Sequence, residues 1–306
     1  MAAPNVIGSP ALVAIVLGPA GDARQRAERL VFYAEVMSVG SAEARDGGSV
    51  LDLGPGGAAA EELAGLVMAA FGQLSPDRVR SRLGSLRAVA ASRVRAAGAA
   101  RRGLRHGTGE VAVSARLQAH AGFFGVEEMD LVHRRFDGLM SPLIRREVFV
   151  SGDAVTVLPY DPVRDRVLLI EQFRTGPMGR GDPLPWQLEA IAGRIDPGET
   201  PEDAARREAV EEAGLVLGQL ERVADYYPSP GAMTEYIYSF IALCDLPDGV
   251  AGVFGAEEEA EDIKGHLLTF DALMAAVAGG EIANAPMILT ALWLQRERGR
   301  LRQLMA

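Results

Sequence analysis

Cysteine is almost missing from these 306 residues. Cys244 stands alone, so no disulfide can close within the chain and no cysteine-based zinc site can be assembled. Its apolar neighbours read it as a buried structural thiol, which suits a reducing cytoplasm. Lysine is equally scarce: 30 of the 31 basic residues are arginine, Lys264 being the exception. With abundant Ala and Gly, that bias points to a GC-rich genome rather than to a binding function. Long apolar runs are missing too, and none approaches the ~18–20 residues of a membrane span. The run Ala11–Leu17 is short, has no basic flank and no convincing cleavage site, so it reads as a buried strand rather than a secretion signal. No internal repeat is visible.

What is present allows two domains. Hydrophobic residues make up 48%, enough for a substantial core. The net charge of −10 is uneven: residues 1–110 carry 13 Arg against 10 acids, so the acidity belongs to the remainder. Gly47–Ala60 holds glycine pairs that read as turns. Ser75-Pro76 starts a helix, with Val79, Leu83, Leu86, Ala90 and Val94 at helical spacing. Nine arginines fall between Arg78 and Arg105 with no acid among them. No aromatic interleaving or binding motif accompanies them, so they read as a solvated or docked basic face rather than a nucleic-acid surface. Gly98–Gly109 reads as a linker. The boundary is set there, with domains at 1–108 and 109–306.

Beyond the linker, short β-rich runs alternate with turns. Ala154–Tyr160 and Val167–Ile170 form a hairpin around Asp161–Asp165. Leu188–Ala192 and Thr234–Leu243 are further strands. Thr200-Pro201 caps and opens a helix that Gly214 ends. Helices near Asp271–Ala278 and Pro286–Leu301 close the chain, the second after Asn284. This order predicts a mixed α/β sandwich rather than a doubly wound sheet.

The chemistry concentrates in one helix. Glu208, Glu211 and Glu212 stand at i, i+3 and i+4 and share a face. Three carboxylates so close repel one another, and hard oxygen donors suit Mg²⁺ or Mn²⁺. Magnesium usually borrows oxygens from substrate phosphates, so the arrangement predicts a phosphate-bearing substrate. Arg207 can pair with Glu199 and hold the preceding loop on the helix. A bare E-x-x-E-E would read as ordinary surface charge. Here the whole stretch Gly193–Leu215 fits G-x5-E-x7-R-E-U-x-E-E-x-G-U, where U is apolar, with Ala209 at the first U.

That stretch resembles the signature of the nudix hydrolases. The resemblance implies an α/β/α sandwich around a mixed sheet, preceded here by a smaller α/β domain. It implies attack of water on a diphosphate, with Glu208 and Glu212 as metal ligands together with the carbonyl of Ala192, Glu211 assisting, and Glu199 and Arg207 steadying the motif. The flanks, including Arg134–Gly138, Glu171–Arg174 and Ser229–Gly231, resemble the bacterial ADP-ribose pyrophosphatase branch. On that resemblance Phe123 stacks on adenine, Arg146 and Arg174 pair with the diphosphate, Pro230 and Gly231 present backbone amides, and Glu235 meets a ribose. The acidic loop 257–262 supplies Glu259 as catalytic base, with Glu258 as its competitor, and Glu261 as a third metal-binding carboxylate. Core packing, ion pairing and solvated charge are the structural alternatives for these flanking residues. The branch implies a homodimer in which a strand near Val111–Phe124 crosses to the partner, so that Phe123 and Arg146 serve the neighbour's site.

The substrate class is then a nucleotide sugar: ADP-ribose first, GDP-mannose or UDP-glucose as alternatives, and a non-catalytic nucleotide sensor as a third reading. Residues 1–108 faintly resemble a gamma-glutamylcyclotransferase-like module whose Y-G-x-L loop is absent, which implies a non-catalytic region with a role in assembly.

Overall fold

The computed structural model describes residues 5–19, 22–43, 49–98, 110–256 and 261–304. The chain divides into two units, the first spanning Met1–Gly152 with Pro230–Thr234, the second Asp153–Ser229 with Glu235–Ala306. The linker expected after Gly98 lies outside the described residues, as do Gly47 and Gly48 of the expected turn region.

The first unit runs β1 (Asn5–Ile7), α1 (Pro10–Leu17), α2 (Ala23–Met37), β2 (Ser41–Glu43), β3 (Ser49–Asp52), α3 (Ala58–Ala69), α4 (Pro76–Arg80), α5 (Leu83–Gly98), β4 (Val111–Ala121), β5 (Gly125–His133) and β6 (Ile144–Val150). Strand β1 lies parallel to β3, which pairs antiparallel with β2. Strands β4, β5 and β6 form a separate antiparallel sheet. Leu12, Val16, Leu30, Tyr33, Val67 and Leu86 belong to one core that also takes in Val150.

Two sequence expectations fail here. Ala11–Leu17 is helical, not a strand. Ser9 caps it by accepting from Leu12 N–H (3.2 Å), Pro10 takes the first turn and Gly18 ends it at φ +76°. The helix from Ser75 is two helices. At the break, the Ser81 hydroxyl donates to the carbonyl of Arg78 (3.0 Å), a local bond that competes with the helical ladder, and Gly84 follows.

The second unit runs β7 (Ala154–Asp161), β8 (Arg166–Phe173), α6 (Thr175–Arg180), β9 (Trp186–Glu189), β10 (Ile191–Arg194), α7 (Pro201–Ala213), β11 (Leu220–Tyr226), β12 (Ile237–Leu243), β13 (Val253–Phe254), β14 (Ile263–Thr269), α8 (Phe270–Gly279) and α9 (Ala285–Gln303). Its mixed sheet has the order β11-β12-β7-β8-β14-β13, with β7 and β12 parallel. Strands β7 and β8 pair only near their hairpin and then diverge, so β10 pairs with β7 and β9 with β8. The single strand expected over Leu188–Ala192 is therefore two, parted at Ala190.

Alternation along the strands builds both layers. Val155, Val157, Leu168 and Ile170 face one side and pack with Ala204, Ala205, Ala209 and Ala213 of α7. Leu158, Tyr160, Val167 and Leu169 face the other, with Phe270, Leu273, Met287 and Leu294 of α8 and α9. The result is an α/β/α sandwich. The short alanines of α7 let that helix lie close on the sheet, where small side chains bring its carboxylates down to β10. Cys244 is half-buried, and burial pushes its thiol up to about 12, which makes it unreactive. Among the described residues, no helix is long and apolar enough to cross a membrane.

Candidate active site

Helix α7 is bounded by its caps. The Thr200 hydroxyl accepts from Asp203 N–H (3.1 Å), Pro201 fills the first turn, and Gly214 closes the helix in the left-handed conformation. This fixes the rotation of the helix, and with it the face that Glu208 and Glu212 present. Both carboxylates are buried, Glu212 to 2% exposure and Glu208 to 8%. Glu212 Oε2 accepts from the backbone N–H of Ala192 on β10 (3.0 Å).

Arg207 is the clamp of the site. Its Nε and Nη2 donate to the two oxygens of Glu199 (2.8 and 3.0 Å), its Nη1 to Glu208 (2.7 Å), and its Nη2 also to the carbonyl of Arg194 (2.9 Å). Glu199 in turn accepts from Asp196 N–H (3.0 Å). The loop between β10 and α7 is thereby tied to the helix at both ends. The hydrogen bonds from Arg207 hold Glu199 below the usual carboxylate range despite its partial burial.

The carboxylates of α7 go the other way. Burial raises Glu208 and outweighs the pull of Arg207, with Glu211 and Glu261 adding repulsion. Burial pushes Glu212 up to about 8, the Ala192 N–H pulls back, and Glu208 and Glu261 repel further. Glu261 thus lies close enough to act on both. Its own Oε2 accepts from Ala256 N–H (3.3 Å).

Among the described residues, no three Asp, Glu, His or Cys side chains gather into a group that could hold a metal by themselves. The donor chemistry nonetheless fits a hard divalent cation that completes its shell with water or phosphate oxygens. Two buried, mutually repelling carboxylates gain from such a charge. Gly193 shows how tightly they are cradled: a Cβ there would lie 1.9 Å from Glu208 Oε1 and 2.6 Å from Oε2. Glycine at this position is a condition of the site, and the sequence reading did not single it out as a site residue; its place at the head of the motif was the available signal. Gly193→Ala must push the Glu208 carboxylate aside. We expect a loss of roughly ten- to a hundredfold in kcat, since misplacement by about 1 Å costs that much, with KM little changed. Steady-state kinetics on the variant check it; wild-type kcat would show that the carboxylate position does not matter.

The remaining predicted residues are distributed as follows. Arg174, at the end of β8, pairs with Glu189 through Nε (2.9 Å) and Nη2 (2.7 Å), and its charge reaches both Glu212 and Glu235. The pairing of Arg174 with Glu189 joins β8 to β9 and has no signal in the sequence. Burial raises Glu235, while Arg194 and Arg174 pull it down. Phe123 lies in the turn between β4 and β5, 70% exposed, and Arg146 lies exposed on β6. Pro230 and Gly231 form a turn that is grouped with the first unit. Phe123, Arg146, Pro230 and Gly231 thus belong to the first unit, and Arg174, Ala192, Glu199, Arg207, Glu208, Glu211, Glu212, Glu235 and Glu261 to the second. Glu259 and its competitor Glu258 lie outside the described residues.

Comparison with known proteins agrees with this geometry. The NUDIX domain family model matches residues 150–290, which contain the carboxylates and their clamp. ADP-ribose pyrophosphatase of Escherichia coli is 39% identical over 189 residues, covering 62% of this chain and 90% of that protein. ADP-ribose pyrophosphatase of Haemophilus influenzae is 36% identical over 60% of this chain and 85% of its own length. GDP-mannose pyrophosphatase of Enterobacter sp. is 33% identical over 49% of this chain and 78% of its own length. The G-x5-E loop with its arginine clamp, the family model and the relatives at 39% and 36% identity lead to one assignment: the chain belongs to the nudix hydrolase family.

Proposed function

We propose that this enzyme hydrolyses the diphosphate of ADP-ribose to AMP and ribose 5-phosphate. The observation that carries the reading is the buried, mutually repelling pair Glu208 and Glu212, the first held by Arg207 and the second by the Ala192 N–H of β10. The names of the relatives that match over most of their length support the substrate. Glu208, Glu212, Glu261 and the Ala192 carbonyl would hold a divalent cation, magnesium or manganese, which would supply charge stabilisation on the diphosphate and lower the pKa of the attacking water. Glu211 assists these ligands, and Glu199 and Arg207 keep the loop in register. Glu259 takes the proton of the attacking water. Arg174, fixed by Glu189, binds a phosphate oxygen; Glu235 accepts from a ribose hydroxyl; the amides around Pro230 and Gly231 face the substrate.

Phe123 and Arg146 are assigned to the adenine and the diphosphate held by a partner protomer. A homodimer is supported by β4, exposed along nearly its whole length with Val113 and Leu117 in solvent, since a long edge strand with exposed apolar side chains seldom remains uncovered. Residues 1–108 are assigned no catalysis of their own, and the compartment is the cytoplasm.

A second reading is favoured by the GDP-mannose pyrophosphatase among the relatives. The two separate by kcat/KM, because discrimination lies in the transition state. We expect ADP-ribose to exceed GDP-mannose and UDP-glucose by at least about tenfold, as polar contacts to the wrong base or sugar go unmade. A panel in which GDP-mannose leads would replace the first reading with the second. The nucleotide-sensor reading predicts binding without turnover in the same panel, and the intact carboxylates argue against it.

A further inference from the structure

The arginines of the basic run have no part in the chemistry above, yet several are committed to contacts within the first unit. Arg80 Nε donates to the carbonyl of Glu35 (3.0 Å), and Arg93 pairs with Glu127 (3.1 Å) and Glu62 (3.7 Å). Arg82 Nε donates to the carbonyl of Gly122 (2.6 Å), and Arg78 Nη2 reaches that of Ala121 (3.5 Å). These two carbonyls belong to the turn that carries Phe123.

The turn has an anchor of its own on the other side. Gly122 N–H donates to the carbonyl of Phe124 (2.9 Å), and the Phe124 ring packs on Phe149 with centroids 4.6 Å apart. Phe123 stands edge-on to Phe124 at 4.9 Å and points its ring into solvent. Arg82 sits at the break between α4 and α5 and is half-buried. Burial, and then the neighbouring Arg78, depress its guanidinium, so a charge is kept in an unfavourable place. The hydrogen bond its side chain makes among the described residues goes to the Phe123 turn. The cavity bordered by Arg82, Phe123, Gln118 and Glu127 measures about 20 Å³, room for a water and not for a ligand. Arg82 therefore acts on the turn itself.

We propose that Arg82 is a positioning residue for substrate binding: it holds the Gly122–Phe124 turn so that the Phe123 ring is preset to receive the adenine. This rests on the reading that Phe123 meets the base of ADP-ribose. It gives residues before the nudix domain a task, namely stiffening a binding turn and so lowering the entropy lost when substrate is captured.

Steady-state kinetics with ADP-ribose on wild type, Arg82→Ala, Arg82→Lys, Phe123→Ala and the double variant test it. Arg82→Ala should raise KM about tenfold with kcat within about twofold, the loss expected for a charge-assisted hydrogen bond that fixes a binding turn. Phe123→Ala should act in the same direction. The double variant should be no worse than Phe123→Ala alone, because Arg82 works only through that ring. Arg82→Lys, which keeps a donor, should recover part of the KM. If Arg82→Ala does not fold, Arg82→Gln carries the same comparison. An Arg82 effect that lowers kcat, or that adds in full to Phe123→Ala, overturns the proposal, and so does an unchanged KM in an active protein. A wild type that leaves ADP-ribose intact overturns the functional reading instead.

Discussion

Glu212→Gln should lower turnover by roughly three orders of magnitude, the loss of about 4 kcal/mol of transition-state stabilisation expected when a ligand carboxylate is removed. The same substitution should raise the melting temperature of the metal-free protein. The reason lies in the burial that makes Glu212 useful. Its folded-state pKa of about 8 is well above that of an exposed glutamate. Between that ordinary value and pH 8 the folded protein binds more protons than the unfolded one, so stability falls as pH rises through the window. Raised Glu208 contributes with the same sign. Glutamine is neutral at every pH, and its carbonyl can still accept from Ala192 N–H. Metal-free Glu212→Gln should therefore melt on the order of 5–10 °C above wild type at pH 8, with the difference closing near pH 5. Calorimetry with a chelator across pH 5–8 reads it. A variant that melts below wild type at pH 8 would show that the carboxylate is not strained by its surroundings.

The second large effect is expected at Arg207, whose removal should lower both activity and stability. It makes four hydrogen bonds to groups separated by up to 14 positions in the chain, Arg194 to Glu208. Arg207→Ala leaves Glu208 buried and unpaired and releases Glu199 with its loop. Removing one partner of a buried pair costs about 3–5 kcal/mol, reduced here to about 2–3 because the arginine side chain is 35% exposed. With Glu208 no longer oriented, kcat should fall by roughly a hundredfold or more. Arg207→Lys should recover little, since an ammonium cannot bridge Glu199, Glu208 and a carbonyl from one planar group. Urea unfolding and steady-state kinetics give the two numbers. An unchanged urea midpoint for Arg207→Ala would mean that the clamp is a surface ion pair.

These two variants also show what could be read in advance. Glu208, Glu212, Glu199 and Arg207 are legible because a short loop and one helix bring them together, and helix periodicity with cap residues determines their faces. Asn284 opens α9 and Gly214 closes α7 where cap chemistry demands. The same signals, Ser9-Pro10 and Gly18, bound α1, yet its short apolar run fits a strand equally well by pattern. The parting of β9 from β10 at Ala190 was not legible, because the run Leu188–Ala192 holds no glycine or proline to mark a break and only the divergence of β7 from β8 makes two strands of it. The Arg174–Glu189 pair depends on two strands meeting in space, and the Gly193–Glu208 approach on a helix meeting a strand. The basic run shows the same limit: charge is countable in a sequence, but that Arg82 reaches the carbonyl of a turn 40 positions away is not.

The central claim is that the α7 carboxylates serve a divalent cation in diphosphate hydrolysis. It is tested most directly by incubating the wild-type protein and Glu212→Gln with ADP-ribose, with Mg²⁺ or with a chelator, and identifying the products. The account predicts AMP and ribose 5-phosphate in equal amounts from wild type with Mg²⁺, and neither above background with chelator or from the variant. Turnover that persists in chelator, or a Glu212→Gln protein as active as wild type, would contradict it.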